Sequence, residues 1–502
     1  MLQLLLGGSG SGKTTLLYQR IRARAEKGEK SILLVPEQFT SSTEGRIYRE
    51  LGDALSGMVE SFSFTSLAEK ILSTEGGAAV QTLSDAGRAV LVRRALEELQ
   101  DNVHYYHRHR RSAAFCQMAA QTIDELKSAG LSGRQLAQLA GACGAESGKL
   151  SELALIFQGY ETLLARSGMD PSDRLELAGA RLEEALARHS LPEFLRDRAV
   201  FIDEFDTFNA PKKRLLGALL AALPSVTVAL CDDGAPLLPG DLSLFSGAKQ
   251  VAAQLRQLAR KNGAEVAVPQ LLRKDLRHRN APGLAAVAEL LETGSCTADA
   301  PAGEVRLFAA PSREEEARAA AGAIRRLMRQ GVRCGKIAVV CRDIAKYRAA
   351  VRYEFRMAEI PLYCDEPTTP EFSAPATAVR ALLEIARGAD LTENLTTLAK
   401  TGLCALSEEQ VCALEKLCLH LGPHGGGWRE KFERSPKGFG EQELTEEDLR
   451  NRERAEHARA LLVGAVDAFR AKVRGVNAEA ISRAVYFLPE KRWGLRNSRP
   501  LR

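Results

Sequence analysis

No apolar run in the 502 residues approaches the roughly 18 that a membrane-spanning helix needs. The opening MLQLLLGG has neither the basic start nor the small-residue cleavage site of a secretory signal, so it is expected to be a strand. Ten cysteines are present, yet none forms a C-x-x-C pair; scattered in this way they predict free thiols in a reducing compartment and hence a cytoplasmic protein. Cys412, Cys418, His420 and His424 lie close in sequence, but their spacing on one helix does not bring four metal ligands together. An excess of one charge sign is nearly absent, with 69 Lys and Arg against 64 Asp and Glu. A net charge of +5 does not by itself argue for a nucleic-acid groove. No internal repeat of fixed period appears.

What is present is an ordinary globular composition, 45% hydrophobic and 26% charged, in a chain too long for one core; about two to four domains are expected. Leu2 to Leu6 is a short apolar run, the pattern of a strand buried on both faces, and a helix is expected from Thr14 to about Lys27. Ser31 to Val35 is a second buried strand ended by Pro36, and Met58 to Phe64 is a third, followed by a helix from about Thr65. Alternation of this kind predicts a parallel sheet with crossover helices. From about Ser84 to Arg196 apolar residues recur at helical spacing, as in Ala89, Val92, Leu96 and Leu99, which predicts an all-helical insertion. The sheet is expected to resume at Ala199 to Ile202 and Ser225 to Leu230. A break at TADAPAG marks a boundary near Ala302. A new β-α-β unit is expected after it, with strands at 304–310 and 336–340 around a helix from about Arg313 to Arg329, then helices over 370–475.

Chemistry concentrates first in Gly7, Gly8, Ser9, Gly10, Ser11, Gly12, Lys13, Thr14 and Thr15. The G-x4-G-K-T pattern directly after a buried strand is a full Walker A sequence: glycines let backbone N–H groups converge on phosphate oxygens, Lys13 neutralises the β- and γ-phosphates of ATP, and the Thr14 hydroxyl ligates Mg²⁺. Such a loop needs an acidic partner at a strand end. VFIDEFDTFN supplies Asp203 to hold the metal through water and Glu204 to orient or deprotonate the attacking water. Weaker candidates are Gln38, Phe39 and Thr40 as DNA contacts and Asp232 as a sensor of the γ-phosphate.

The order of these motifs resembles a superfamily 1 helicase of the UvrD type, with FIDEFDTFN similar to that group's DEFQDTN. In KIAVVCRDIAKYR, Arg342 and Arg348 occupy the places of two arginines of its second motor domain, so the resemblance implies Arg348 as an arginine that reaches the γ-phosphate. A closer resemblance is to the AddB family, the second subunit of bacterial AddAB helicase–nucleases, called RexB in some bacteria. It is carried by LLLGGSGSGKTT, ILLVPEQFTSSTEGRI, VESFSFTSLAEKIL, VRLFAAPSREEEA and LAKTGLCALSEEQVCALE. The resemblance implies RecA-like motor domains: residues 1–83 with 197–302 as the first (1A), 84–196 as its helical insertion (1B-like), 303–369 as the start of the second (2A), and 370–502 as a helical 2B-like region.

It also implies an AddA partner, action on double-stranded DNA ends and single-stranded DNA in recombinational repair, and a nuclease domain held by a four-cysteine iron–sulfur cluster. Neither the nuclease carboxylate-and-lysine motif nor the cluster's C-x2-C pair is in this sequence, and the tail KRWGLRNSRPLR loses the amphipathic pattern before it. An N-terminal portion of an AddB-like subunit is therefore expected, with the cluster confined to the longer family member. Two other readings stand beside it: a stand-alone P-loop kinase, and a scaffold that binds ATP and DNA without hydrolysis.

Overall fold

The computed structural model describes residues 1–77, 80–142, 144, 147–295, 304–364, 372–388, 392–423, 425–433 and 444–486. The TADAPAG break, the KRWGLRNSRPLR tail, Cys143, Cys296 and His424 lie outside these. The chain divides into two compact units, Met1–Phe308 and Ala309–Arg502.

The first unit is built on one parallel six-stranded sheet: β1 (Leu2–Gly7), β2 (Ser31–Leu34), β3 (Val59–Phe62), β4 (Ala199–Ile202), β5 (Ser225–Cys231) and β6 (Gln270–Leu272), in the order β3-β2-β4-β5-β1-β6. Five of the six match the expected strands. The apolar runs of β1, β2, β4 and β5 are continuous because helices cover both faces: Leu4, Leu34, Val200 and Val228 face one core, and Leu5, Leu33, Phe201 and Ala229 face another. Each such Leu, Val or Phe side chain contributes roughly 1.5–3 kcal/mol by leaving water. β6 is an addition to the expected set, since its three residues are half-buried at the sheet edge.

The long elements of the insertion among its described residues are all helices, Asp85–Glu98, Ala113–Ser128, Gly133–Ala140, Ser147–Ser167 and Pro171–Ala187. It has its own core around Val92, Leu96, Ile123, Phe157 and Tyr160. The last of these helices also packs Leu175, Ala178 and Leu182 into the core beneath the sheet. That contact ties insertion and sheet together.

The second unit departs from expectation. Helix Arg313–Arg329 forms as expected, but 304–310, at the junction, and 336–340, within this unit, are not strands. Neither segment pairs in a ladder, and Leu307, Phe308, Val339 and Val340 are exposed. A parallel strand gains its stability from hydrogen-bonded neighbours and covered faces, and among the described residues these segments have no ladder partner. Their helices, Arg313–Arg329 and Ile344–Met357, close only a small cluster of Ala321, Ile324, Phe355 and Ile360. The larger core of this unit is helical, formed by Ala374–Ala386, Thr392–Lys400, Glu408–Leu421 and Glu446–Val473 around Leu382, Leu414, Trp428, Leu462 and Phe469.

Candidate functional site

β1 ends at Gly7, where the chain turns sharply toward the helix Lys13–Ala25. Only glycine fits at Gly7, because a Cβ there would lie 2.5 Å from Ser11 Oγ and 2.7 Å from the Leu272 carbonyl oxygen. Gly12 caps the helix with φ 89°, a left-handed conformation that other residues rarely take. No side chain caps this N-terminus, so its open N–H groups and dipole favour an anion. Ser11 is buried and its Oγ has no hydrogen-bond partner, which suits a turn shaped to receive an oxygen-rich ligand. The Lys13 ammonium folds over the turn, donating to the Gly7 and Gly8 carbonyls at 2.8 Å each, and lies 3.9 Å from Cys231 Sγ. Thr15, on the first turn of the helix, is exposed.

β5 pairs with β1 on one side and β4 on the other, so one strand separates the glycine turn from Asp203. All three strands are parallel, so their C-terminal ends meet on one edge. There Thr14 stands close enough to the Asp203 carboxylate to lower its pKa. Asp203 is held by its own backbone: its N–H donates to the Leu34 carbonyl at 3.1 Å, and the Glu204 N–H donates to Asp203 Oδ1 at 3.0 Å. Burial pushes the Asp203 carboxyl above the usual carboxylate range, against the opposing pull of Thr14, the Glu204 N–H, Arg46 and Lys13. Glu204 is exposed and has φ 65°, a conformation that costs a non-glycine residue about 1–2 kcal/mol. Its carboxyl is also raised, first by burial and then by the Asp203 charge.

These residues fit a nucleotide with Mg²⁺. A P-loop magnesium is held by one hydroxyl, a carboxylate and phosphate oxygens, with no dedicated protein cage. No three His, Cys, Asp or Glu side chains gather as metal ligands among the described residues.

Three side chains that the sequence does not single out reach this site. Arg277 donates to Ser9 Oγ at 3.1 Å, and the neighbouring Leu276 N–H donates to the Gly10 carbonyl at 3.0 Å, so the segment after β6 covers the glycine turn. Glu292, at the end of helix Pro282–Thr293, lies beside Gly8, its Oε1 2.8 Å from where a Cβ would stand. Arg46, on helix Thr40–Leu51, sits 5.1 Å from the Tyr18 ring and acts electrostatically on Asp203, Glu204 and Tyr18. The basic run RKDLRHR is the available signal for Arg277; nothing in the sequence marks Arg46 or Glu292.

The remaining candidates are placed as follows. Gln38 is exposed on a 3-10 turn, Phe39 packs against the core, and Thr40 begins the next helix. Asp232 is buried, and its Oδ1 accepts from the Gly234 N–H at 2.7 Å; its backbone N–H donates to the Gly7 carbonyl at 3.2 Å, tying β5 to the start of the turn. Arg348 lies on helix Ile344–Met357 of the second unit.

This architecture defines an α/β protein of the P-loop type with helical insertions. More narrowly, the chain belongs to the AddB family: the family model described as "ADDB, N-terminal" matches residues 4–288. The curated relatives that it resembles are each named as a subunit of an ATP-dependent helicase/deoxyribonuclease. The protein of Desulforudis audaxviator is 33% identical over 448 residues, 86% of this chain and 37% of the relative. That of Symbiobacterium thermophilum is 31% identical over 455 residues, 86% of this chain and 38% of its own length. That of Clostridium perfringens is 27% identical over 489 residues, 94% and 42%. The chain thus spans well under half the length of these relatives. No helix among the described residues is long and apolar enough to cross a membrane.

Proposed function

We propose that this chain binds ATP with Mg²⁺ in the Gly7–Thr14 turn and hydrolyses it as the AddB-type member of a helicase–nuclease that processes DNA double-strand ends with an AddA-type partner. The approach of Thr14 to Asp203 carries the reading, because the strand order brings the phosphate-binding turn and an acid two strands away to one end of the sheet. When bound, Mg²⁺ would neutralise charge on the β- and γ-phosphates. Thr14 would ligate it directly and Asp203 through water. Lys13 would leave the Gly7 and Gly8 carbonyls for the phosphates, and Arg277 would add a second cation on the far side of the turn. Glu204, whose raised carboxyl lies nearer the working pH than a free glutamate's, would take the proton of the attacking water. Arg348 is the second unit's proposed contribution to turnover. Cutting of DNA is assigned to none of the described residues, and the iron–sulfur cluster is proposed only for the longer family member.

Lys13→Ala tests the assignment. Loss of a charge-assisted bond to phosphate should weaken ATP binding roughly ten- to hundredfold in titration calorimetry. Unchanged affinity would remove the basis for the site.

A further inference from the structure

Between helices Asp85–Glu98 and Ala113–Ser128 of the insertion runs the segment HYYHRHRR, residues 104–111. It holds three arginines, three of the chain's eight histidines and two tyrosines, and no acid. The segment is held in place. The Glu152 carboxylate, on helix Ser147–Ser167, accepts the backbone N–H groups of His104 and Tyr105 at 2.8 Å and of Tyr106 at 3.2 Å. Val103 is buried just before it, and after it the Phe115 ring lies 5.2 Å from Tyr106 and 5.9 Å from His109.

What this scaffold presents to solvent is unlike the two helices that flank it. On those two helices the basic side chains pair with carboxylates: Arg88 with Asp85 and Asp124, Arg93 with Glu97, Arg94 with Glu98, and Lys127 with Asp170 and Asp173. Arg108 and Arg111 are exposed and meet no carboxylate among the described residues. Arg110 lies against His107 Nδ1 at 3.4 Å, a neighbour that adds no negative charge. Tyr105 is 62% exposed, its ring edge-on to Tyr106 at 5.1 Å. A solvated loop gains nothing from an exposed ring fixed among unneutralised cations. A strand with free bases and phosphates uses both.

Building on the DNA-processing role proposed above, we infer that the 104–111 loop is a single-stranded DNA site, with Tyr105 stacking on an unpaired base and Arg108 and Arg111 on the flanking phosphates. A duplex keeps its bases stacked on one another and offers Tyr105 no free face, so the aromatic contact selects the single strand. Because Glu152 sets the backbone beforehand, little ordering is left to oppose binding.

The test is fluorescence anisotropy of the full chain with labelled oligothymidylate, the same oligomer made abasic, and a duplex. Tyr105→Ala should weaken oligothymidylate binding roughly five- to hundredfold, the worth of one stacked base, and should leave the abasic oligomer unaffected. Arg108→Ala with Arg111→Ala should make the slope of log affinity against log salt shallower by about 1.4, since each single-strand phosphate contact contributes about 0.7. All three residues are on the surface, and unchanged ATP affinity in the variants reports an intact fold. Equal binding by parent and variants overturns the loop assignment while the DNA role stands. Equal loss on duplex and single strand overturns the stacking contact. A parent chain that binds no oligonucleotide overturns both readings.

Discussion

The two units of this chain carry similar letters and do different things with them. LQLLLG, SILL, AVFI and SVTVALC are apolar runs, and in the first unit each becomes a strand with neighbours on both sides. IAVV in the second unit and VRLFAA at the junction between the units are apolar too, yet both remain unpaired and largely exposed. Strand propensity is thus a statement about surroundings. In the first unit the hydrogen-bond partners of β1 lie more than 200 residues away, at 226–231 and 270–272, and the fold brings them in. The same contrast bears on chemistry. The paired edge of the first sheet gathers Lys13, Thr14, Asp203 and Glu204, whereas Arg342 and Arg348 sit on and after a segment that no ladder fixes.

If the ordered edge of the first unit performs the reaction, its acids should dominate turnover. Glu204→Gln should cut single-turnover ATP hydrolysis roughly 10²- to 10⁴-fold, the usual worth of a general base, with ATP affinity kept. A rate left intact would move the water-activating group elsewhere and weaken the contrast between the units. A structural version of the contrast comes next in size. Leu4→Ala removes a fully buried side chain from the middle of β1 and should cost about 2–5 kcal/mol in denaturant unfolding. Leu307→Ala, at a wholly exposed side chain, should stay within about 0.5 kcal/mol. A large cost at Leu307 would mean that this segment is covered in solution.

Legibility follows the same division. The glycine turn and the acidic strand end can be read from the sequence because both are local patterns whose residues are fixed by backbone geometry: Gly7 by the close approach of Ser11 and Leu272, Asp203 by its place one residue beyond β4. That the two face each other is an expectation from motif order, and the sheet order with β5 between them supplies the distance. β6 is invisible in the sequence because three half-buried residues carry no periodicity. Glu292 and Arg46 are invisible for another reason, and Arg277 is signalled only by the basic run around it. Each reaches the site from an element remote in sequence, and nothing about an arginine on an amphipathic helix tells which acid it will face. The expected strands at 304–310 and 336–340 fail because apolar letters do not reveal their neighbours.

The smallest expected effect is the most discriminating, because it separates function from stability at one residue. Asp203 titrates above its ordinary value in the folded chain, mainly through burial. The folded state therefore holds that proton more tightly than the unfolded state. Its contribution to stability is favourable below the unfolded value of 3.8, declines as pH rises toward the raised folded value, and is unfavourable and constant beyond it. At neutral pH the buried charge is a cost, and the proposed magnesium site gives it a use. Asp203→Asn should then unfold at a slightly higher denaturant concentration than the parent at pH 7, and the gain should shrink as the pH is lowered toward 4. The same variant should lose Mg²⁺-dependent hydrolysis. A variant less stable than the parent at pH 7 would mean that the interactions with Thr14 and the Glu204 N–H outweigh burial, and Asp203 would then be a structural tie between β4 and the glycine turn.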